Sequence, residues 1–191
     1  MLNELLLRFA EWMDTHAWST ALHESYYMYS WVESTHVLTL ALFFGMLVVI
    51  DLRMLGWAFT SVPASTISKR LETPMMIGFA IMVVSGLLLV YAVPVRTINS
   101  IWFRMKMVLF VAAGINALLF RNKMKAAVDS WDNDPIPPKR MRTGAGASLA
   151  LWSCVVASGR LMAYDWYDCH QNMSYFMYWV AGCVHEMAEF E

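Results

Sequence analysis

Four stretches of this chain, residues 31–50, 74–93, 99–120 and 147–165, are apolar over close to the roughly 20 residues a helix needs to cross a bilayer. No other feature restricts the fold as strongly. Lipid offers the backbone no hydrogen-bonding partners, so a crossing segment of that length must satisfy its own amide groups as a helix. The expectation is an all-α fold: an integral membrane four-helix bundle in one domain, residues 1–191. Charged residues make up 15% of the chain and hydrophobic ones 59%, too few charges to solvate a globular domain of this size.

The distribution of charge sets the expected orientation. Arg53, Lys69 and Arg70 follow the first stretch, and Arg121, Lys123, Lys125, Lys139, Arg140 and Arg142 follow the third. The opposite side carries Arg8 and Arg96, with Glu4, Glu11, Asp14, Glu24, Asp165, Asp168, Glu186, Glu189 and Glu191. The positive-inside rule then places both termini on the non-cytoplasmic side. With 14 basic and 15 acidic residues the net field is near zero, and nothing points to nucleic acid. Glu4 and Arg8 leave no uninterrupted apolar core for a signal peptide, so the N-terminal segment is expected to be retained.

Ahead of the first span, Leu2, Leu5, Leu6, Phe9 and Met13 form one helical stripe. This predicts an N-terminal amphipathic helix lying on the outer membrane surface, or equally one capping the bundle by packing on it. Tyr26, Tyr27, Tyr29 and Trp31 before the first span, and Tyr164, Trp166 and Tyr167 after the last, fit an aromatic belt. The polar, proline-bearing segment 129–142 reads as an extended cytoplasmic connection, and Pro63 as a break in the first cytoplasmic loop. Residues 173–184 are apolar but too short to cross, which predicts a short external helix with a possible use in subunit contact. Cys154 falls mid-span, whereas Cys169 and Cys183 share the external tail and are expected to pair as a disulfide in an oxidising compartment.

Ionisable groups inside a span cost about 3 kcal/mol each on insertion scales and therefore mark function by default. Glu33 and His36 share a face of the first span at i and i+3. Arg104 and Lys106 enter the third span and Arg160 the fourth at a similar distance from the outer end, so charges from three helices are expected to converge at one depth. Arg104 and Lys106 lie about 200° apart around a helix, so one points inward and the other snorkels.

One imidazole flanked by cations inside a four-helix bundle suits a b-type haem, with the axial nitrogen on iron and the cations on the propionates. His36 is then the metal ligand, and Lys106, Arg160, Arg104 and Glu33 surround the cofactor. His16, His23, His170 and His185 are all external, so the iron is five-coordinate or takes His23, Met107, Met162 or a neighbouring subunit as second ligand. The alternatives are a buried ion-pair network of Glu33, His36 and Arg160 that fixes helix packing, or a proton, small-solute or metal-ion pathway. A dedicated zinc or copper site has only Glu33 and His36 at suitable spacing. Asp51 reads as a helix-end anchor paired with a loop cation. Gly45, Ser85, Gly86, Gly114, Ser153, Ser158 and Gly159 read as positions of close helix approach. Nucleotide-binding loops, nucleophile elbows and zinc-binding cysteine pairs are not present in the sequence.

The strings WVESTHVLTLAL, DLRMLG, FRMKMVLFVAAGINALLF and LWSCVVASGR resemble an uncharacterised family of small bacterial four-helix inner-membrane proteins, distantly similar to the membrane domain of copper-resistance D proteins and to b-type cytochrome bundles. The resemblance runs from about Trp31 to Trp166 and leaves out the tail. It implies a multi-pass protein of the bacterial inner (cytoplasmic) membrane with periplasmic termini. It also implies Glu33, His36, Asp51, Arg53, Lys106, Asn116 and Arg160 as the polar positions that matter, with Lys106 the inward cation. Arg121 stands where similar proteins carry histidine, which argues against a bis-histidine haem here. Three functions follow as expectations: haem-b binding for electron transfer or haem handling, with a redox partner or quinone; a structural or accessory homo-oligomer without cofactor; or a proton or metal-ion transporter using Glu33 and His36. The bilayer is the partner common to all three.

Overall fold

The computed structural model describes residues 2–127, 130–164 and 174–181. The described residues form helices and no strand: α1 (Leu2–Asp14), α2 (Ala17–Glu24), α3 (Tyr26–Leu55), α4 (Ala64–Ala92), α5 (Pro94–Ile98), α6 (Ile101–Ala127), α7 (Lys139–Ala163) and α8 (Tyr175–Ala181). Four of them, α3, α4, α6 and α7, are long and apolar enough to cross a membrane, as the apolar stretches predict. Most run further than the apolar windows do. α4 begins at Ala64, ten positions before Pro74, and carries that proline in its interior. Proline is tolerated there because the imide displaces a single backbone bond and Pro74 is exposed. The chain divides into two compact units.

The first unit comprises residues 1–35, 84–108 and 156–191. Within it α1 packs on α5, a short helix that hydropathy does not reveal. Proline occupies the first turn of α5, where its missing amide costs nothing, and Pro94, Thr97 and Ile98 are buried. The buried positions of α1, Leu7 and Ala10, lie outside the predicted stripe, of which Leu5 and Phe9 are exposed and Leu6 and Met13 half-buried; Trp12 is exposed beside it. α1 therefore presents one face to the protein and a second apolar face outward. Asn3 Nδ2 donates to the Trp179 carbonyl at 3.3 Å, tying α1 to α8, and Ser19 Oγ donates to the Tyr91 carbonyl at 2.7 Å. Of the predicted aromatic belt, Tyr26, Tyr27, Trp31 and Tyr164 are exposed and Tyr29 is half-buried, while Trp166 and Tyr167 lie outside the described residues; Trp18 and Trp179 are exposed in the same unit.

The second unit comprises residues 36–83 and 109–155 and holds two cores. In the first, Trp152 sits 4.8 Å from Phe43, 5.8 Å from Phe110 and 6.3 Å from Phe79, ring centroid to centroid, with Met82, Ala113 and Val155 around them. The second gathers Met54, Ala64, Trp131, Met141 and Ala145. Trp131 and Pro137 are buried, so the segment expected to be an extended polar connection is anchored in the protein at two points, while residues 133–136 between them are exposed. Its polar composition hides one tryptophan and one proline that supply the apolar contact. Gly56, at φ 75°, turns the chain after α3, and a Cβ there would stand 3.3 Å from the Pro135 carbonyl oxygen. At Gly45 and Gly114 an added Cβ would meet nothing within 4 Å, so these two glycines do not mark close helix approach.

Candidate functional site

His36 belongs to the second unit, half-buried on α3, with Nδ1 3.0 Å from the Met82 carbonyl oxygen of α4. When Nδ1 carries the hydrogen it donates to that carbonyl, and the ring lone pair stands on Nε2. Thr39 Oγ1 donates to the His36 carbonyl at 3.2 Å, one turn on.

The four other predicted site residues all lie in the first unit, and the structure gives them separate surroundings. Glu33 is exposed on α3, within electrostatic range of Tyr29, which also feels Arg96. Arg160 is exposed at the end of α7. Its guanidinium donates to the Tyr164 hydroxyl and stacks over that ring, 4.6 Å from the centroid. Arg104 joins three elements: Nε donates to the Ile98 carbonyl at 3.0 Å and Nη1 to Asn3 Oδ1 at 2.9 Å. Lys106 is half-buried, and its Nζ stands 3.3 Å from where a Cβ on Gly159 would be. Of the pair on α6, Lys106 thus faces the neighbouring helix α7, while Arg104 fastens α5 and α1 instead of snorkelling. No ion pair joins Glu33 to Arg160 among the described residues.

A second set of polar side chains stands in the second unit. Arg53, 1% exposed, donates from Nε to the Val62 carbonyl at 2.8 Å, and from Nη2 to the Asp134 carbonyl at 3.0 Å and the Asp132 carbonyl at 3.3 Å. Its Nη1 has no partner. Asp132 reaches the start of α4, where Oδ1 accepts the Ser65 amide at 2.7 Å and Oδ2 the Ser65 hydroxyl at 2.6 Å. Asn116 Nδ2 donates to the Gly144 carbonyl at 3.1 Å. Asp51 is buried, with Ser148 as its hydrogen-bond partner and Oδ2 unmatched. Its partner is therefore a hydroxyl on α7 and not the loop cation that its position at a helix end suggests. Sequence reasoning named Asp51, Arg53 and Asn116 but missed Asp132 and Ser65. The signal available was an acidic residue in a loop and an uncapped helix start far apart in the chain, which no local pattern connects.

A shallow surface cavity of about 420 Å³ is lined by Tyr26, Tyr27, Ser30, Trp31 and Ser34, none of them a predicted site residue. Among the described residues no three His, Cys, Asp or Glu side chains stand together as a ligand set for a metal ion. Cys169 and Cys183, and with them the expected disulfide, lie outside the described residues, as do His170 and His185. Cys154 is exposed on α7.

Residues 9–165 match the model of a family of unknown function, DUF6644, and the chain belongs to that family. No curated protein and no solved structure matches.

Proposed function

We propose that this member of the family is an accessory protein of the bacterial inner membrane, a scaffold whose polar side chains fasten its helices and loops and whose working form is a homo-oligomer. The observation that carries this reading is where those side chains are used. His36 reaches a carbonyl on α4, Arg104 a carbonyl of α5 and a side chain of α1, Asn116 a carbonyl on α7, and Arg53 three loop carbonyls. A polar group engaged by a neighbouring backbone in this way fixes packing, and in membranes each such bond contributes about 0.6–1.7 kcal/mol. The excess of basic residues in the 53–70 and 121–142 segments supports periplasmic termini.

A second reading is favoured by one feature of His36. An imidazole that ligates a metal through Nε2 characteristically donates its Nδ1 hydrogen to a carbonyl, which orients the ring and raises its basicity. The Met82 carbonyl is placed to accept that bond. His36 would then hold a b-type haem, as the resemblance to copper-resistance D and b-type cytochrome bundles suggests, in electron transfer or haem handling with a quinone or protein redox partner.

One experiment separates the two: absorption spectra, oxidised and dithionite-reduced, of the detergent-purified protein beside His36→Ala. The accessory reading expects identical spectra without a haem band, and a variant less stable by about 1 kcal/mol. A Soret band in the wild type that is lost in His36→Ala would replace it with the haem reading.

A further inference from the structure

We infer that the Lys106 ammonium, lying over Gly159, holds the anionic headgroup of an amphiphile, a phosphate diester or a carboxylate, between α6 and α7 within the first unit. Lys106 lies five residues into α6, about 8 Å along its axis. A lysine at that depth reaches water by extending along its own helix. This one crosses to α7 instead: Nζ stands 3.3 Å and Cε 3.8 Å from the position a Gly159 Cβ would take, so the ammonium lies over the glycine and a bulky side chain there would displace it. Ser158, beside the glycine, is 1% exposed.

The neighbouring cations are engaged, Arg104 by Asn3 and Ile98 and Arg160 by Tyr164. Lys106 has neither hydrogen bond nor ion pair among the described residues. An ammonium has three donors and no acceptor, and in poorly polar surroundings the partner that meets its demand is an anion. The surface of α6 on either side of Lys106 is apolar, with Met105 and Met107, about 100° to each side, both exposed. A cation flanked by lipid-facing apolar side chains fits a ligand with a negative head and a hydrocarbon tail better than it fits a small free ion.

The test uses the full-length protein in mild detergent, with ligand retention counted by native mass spectrometry. The probes are phosphatidylglycerol, palmitate, phosphatidylcholine and inorganic phosphate. The expected result is one anionic amphiphile retained per chain, about tenfold more tightly than phosphatidylcholine. Whether phosphatidylglycerol or palmitate is preferred identifies the head as phosphate or carboxylate. Lys106→Gln removes the charge, and Gly159→Val keeps it but displaces the ammonium; each is expected to weaken retention about tenfold. Thermal unfolding of both variants confirms that they fold, and Lys106→Arg is expected to retain part of the binding. Unchanged retention in Lys106→Gln and Gly159→Val, equal retention of phosphatidylcholine, or displacement of the amphiphile by inorganic phosphate would each overturn the inference.

Discussion

Replacing Arg53 by methionine keeps much of the side-chain volume and removes the guanidinium that holds the Val62, Asp132 and Asp134 carbonyls. Hydrogen bonds from a charged donor contribute about 1.5–3 kcal/mol each, so three at the lower figure come to about 4.5 kcal/mol. Against this stands the cost of keeping a charge 1% exposed with its Nη1 unmatched, which the variant no longer bears. Loop carbonyls released by the substitution also regain water more easily than carbonyls inside a helix. The net expectation is a loss of about 3 kcal/mol, or roughly 6–12 °C in the unfolding midpoint for a chain of this size. Tryptophan fluorescence during thermal unfolding in detergent reads it, because buried Trp131 lies in the loop that Arg53 holds. Trypsin cleavage at Lys139 and Arg140 is expected to accelerate in parallel. Arg53→Lys supplies a single donor point and recovers a minority of the loss. A midpoint within about 2 °C of wild type together with unchanged cleavage would refute the reasoning.

Two further substitutions probe the second unit. Trp152→Ala opens a hole among Phe43, Phe79 and Phe110 and is expected to cost about 3 kcal/mol, at the low end of the aromatic-to-alanine range because lipid already solvates apolar groups; thermal unfolding measures it, and a stable variant would show that the rings close over the gap. Asp132→Ala removes both bonds to Ser65 at the start of α4 and is expected to cost about 1–2 kcal/mol, with Asp132→Asn restoring most of it in the same assay.

Membrane-crossing length and apolar content are properties of short windows, so the four long helices were legible from composition alone. Their ends were not. The start of α4 lies in a polar run, Ser65 to Glu72, that hydropathy assigns to a loop, and its cap comes from Asp132. α5 escaped notice because a five-residue helix has no period to detect; its evidence is the burial of Pro94 and Ile98. The candidate site was legible as a set of positions, since charge in a span is rare whatever the fold. Partners were not. That Arg104 would meet Asn3, Arg160 its own Tyr164, and Lys106 the bare backbone of Gly159 depends on rotations and close approaches that residue spacing leaves open. The same limit explains segment 130–138: its prolines and acidic residues signal a loop correctly, but not that Trp131 turns inward.

The bond between Asp132 and Ser65 spans 67 positions, and Arg53 finds two of its three acceptors 79 and 81 positions further along. A chain emerging from its N-terminus makes α3 and the beginning of α4 well before these partners exist. For that interval Arg53 has the Val62 carbonyl but lacks its other two acceptors, and the start of α4 is uncapped. Synthesis of the loop after α6 supplies both at once, so this end of the second unit closes in a single late step. Truncation before residue 132 should therefore leave a nascent protein that is inserted but not locked.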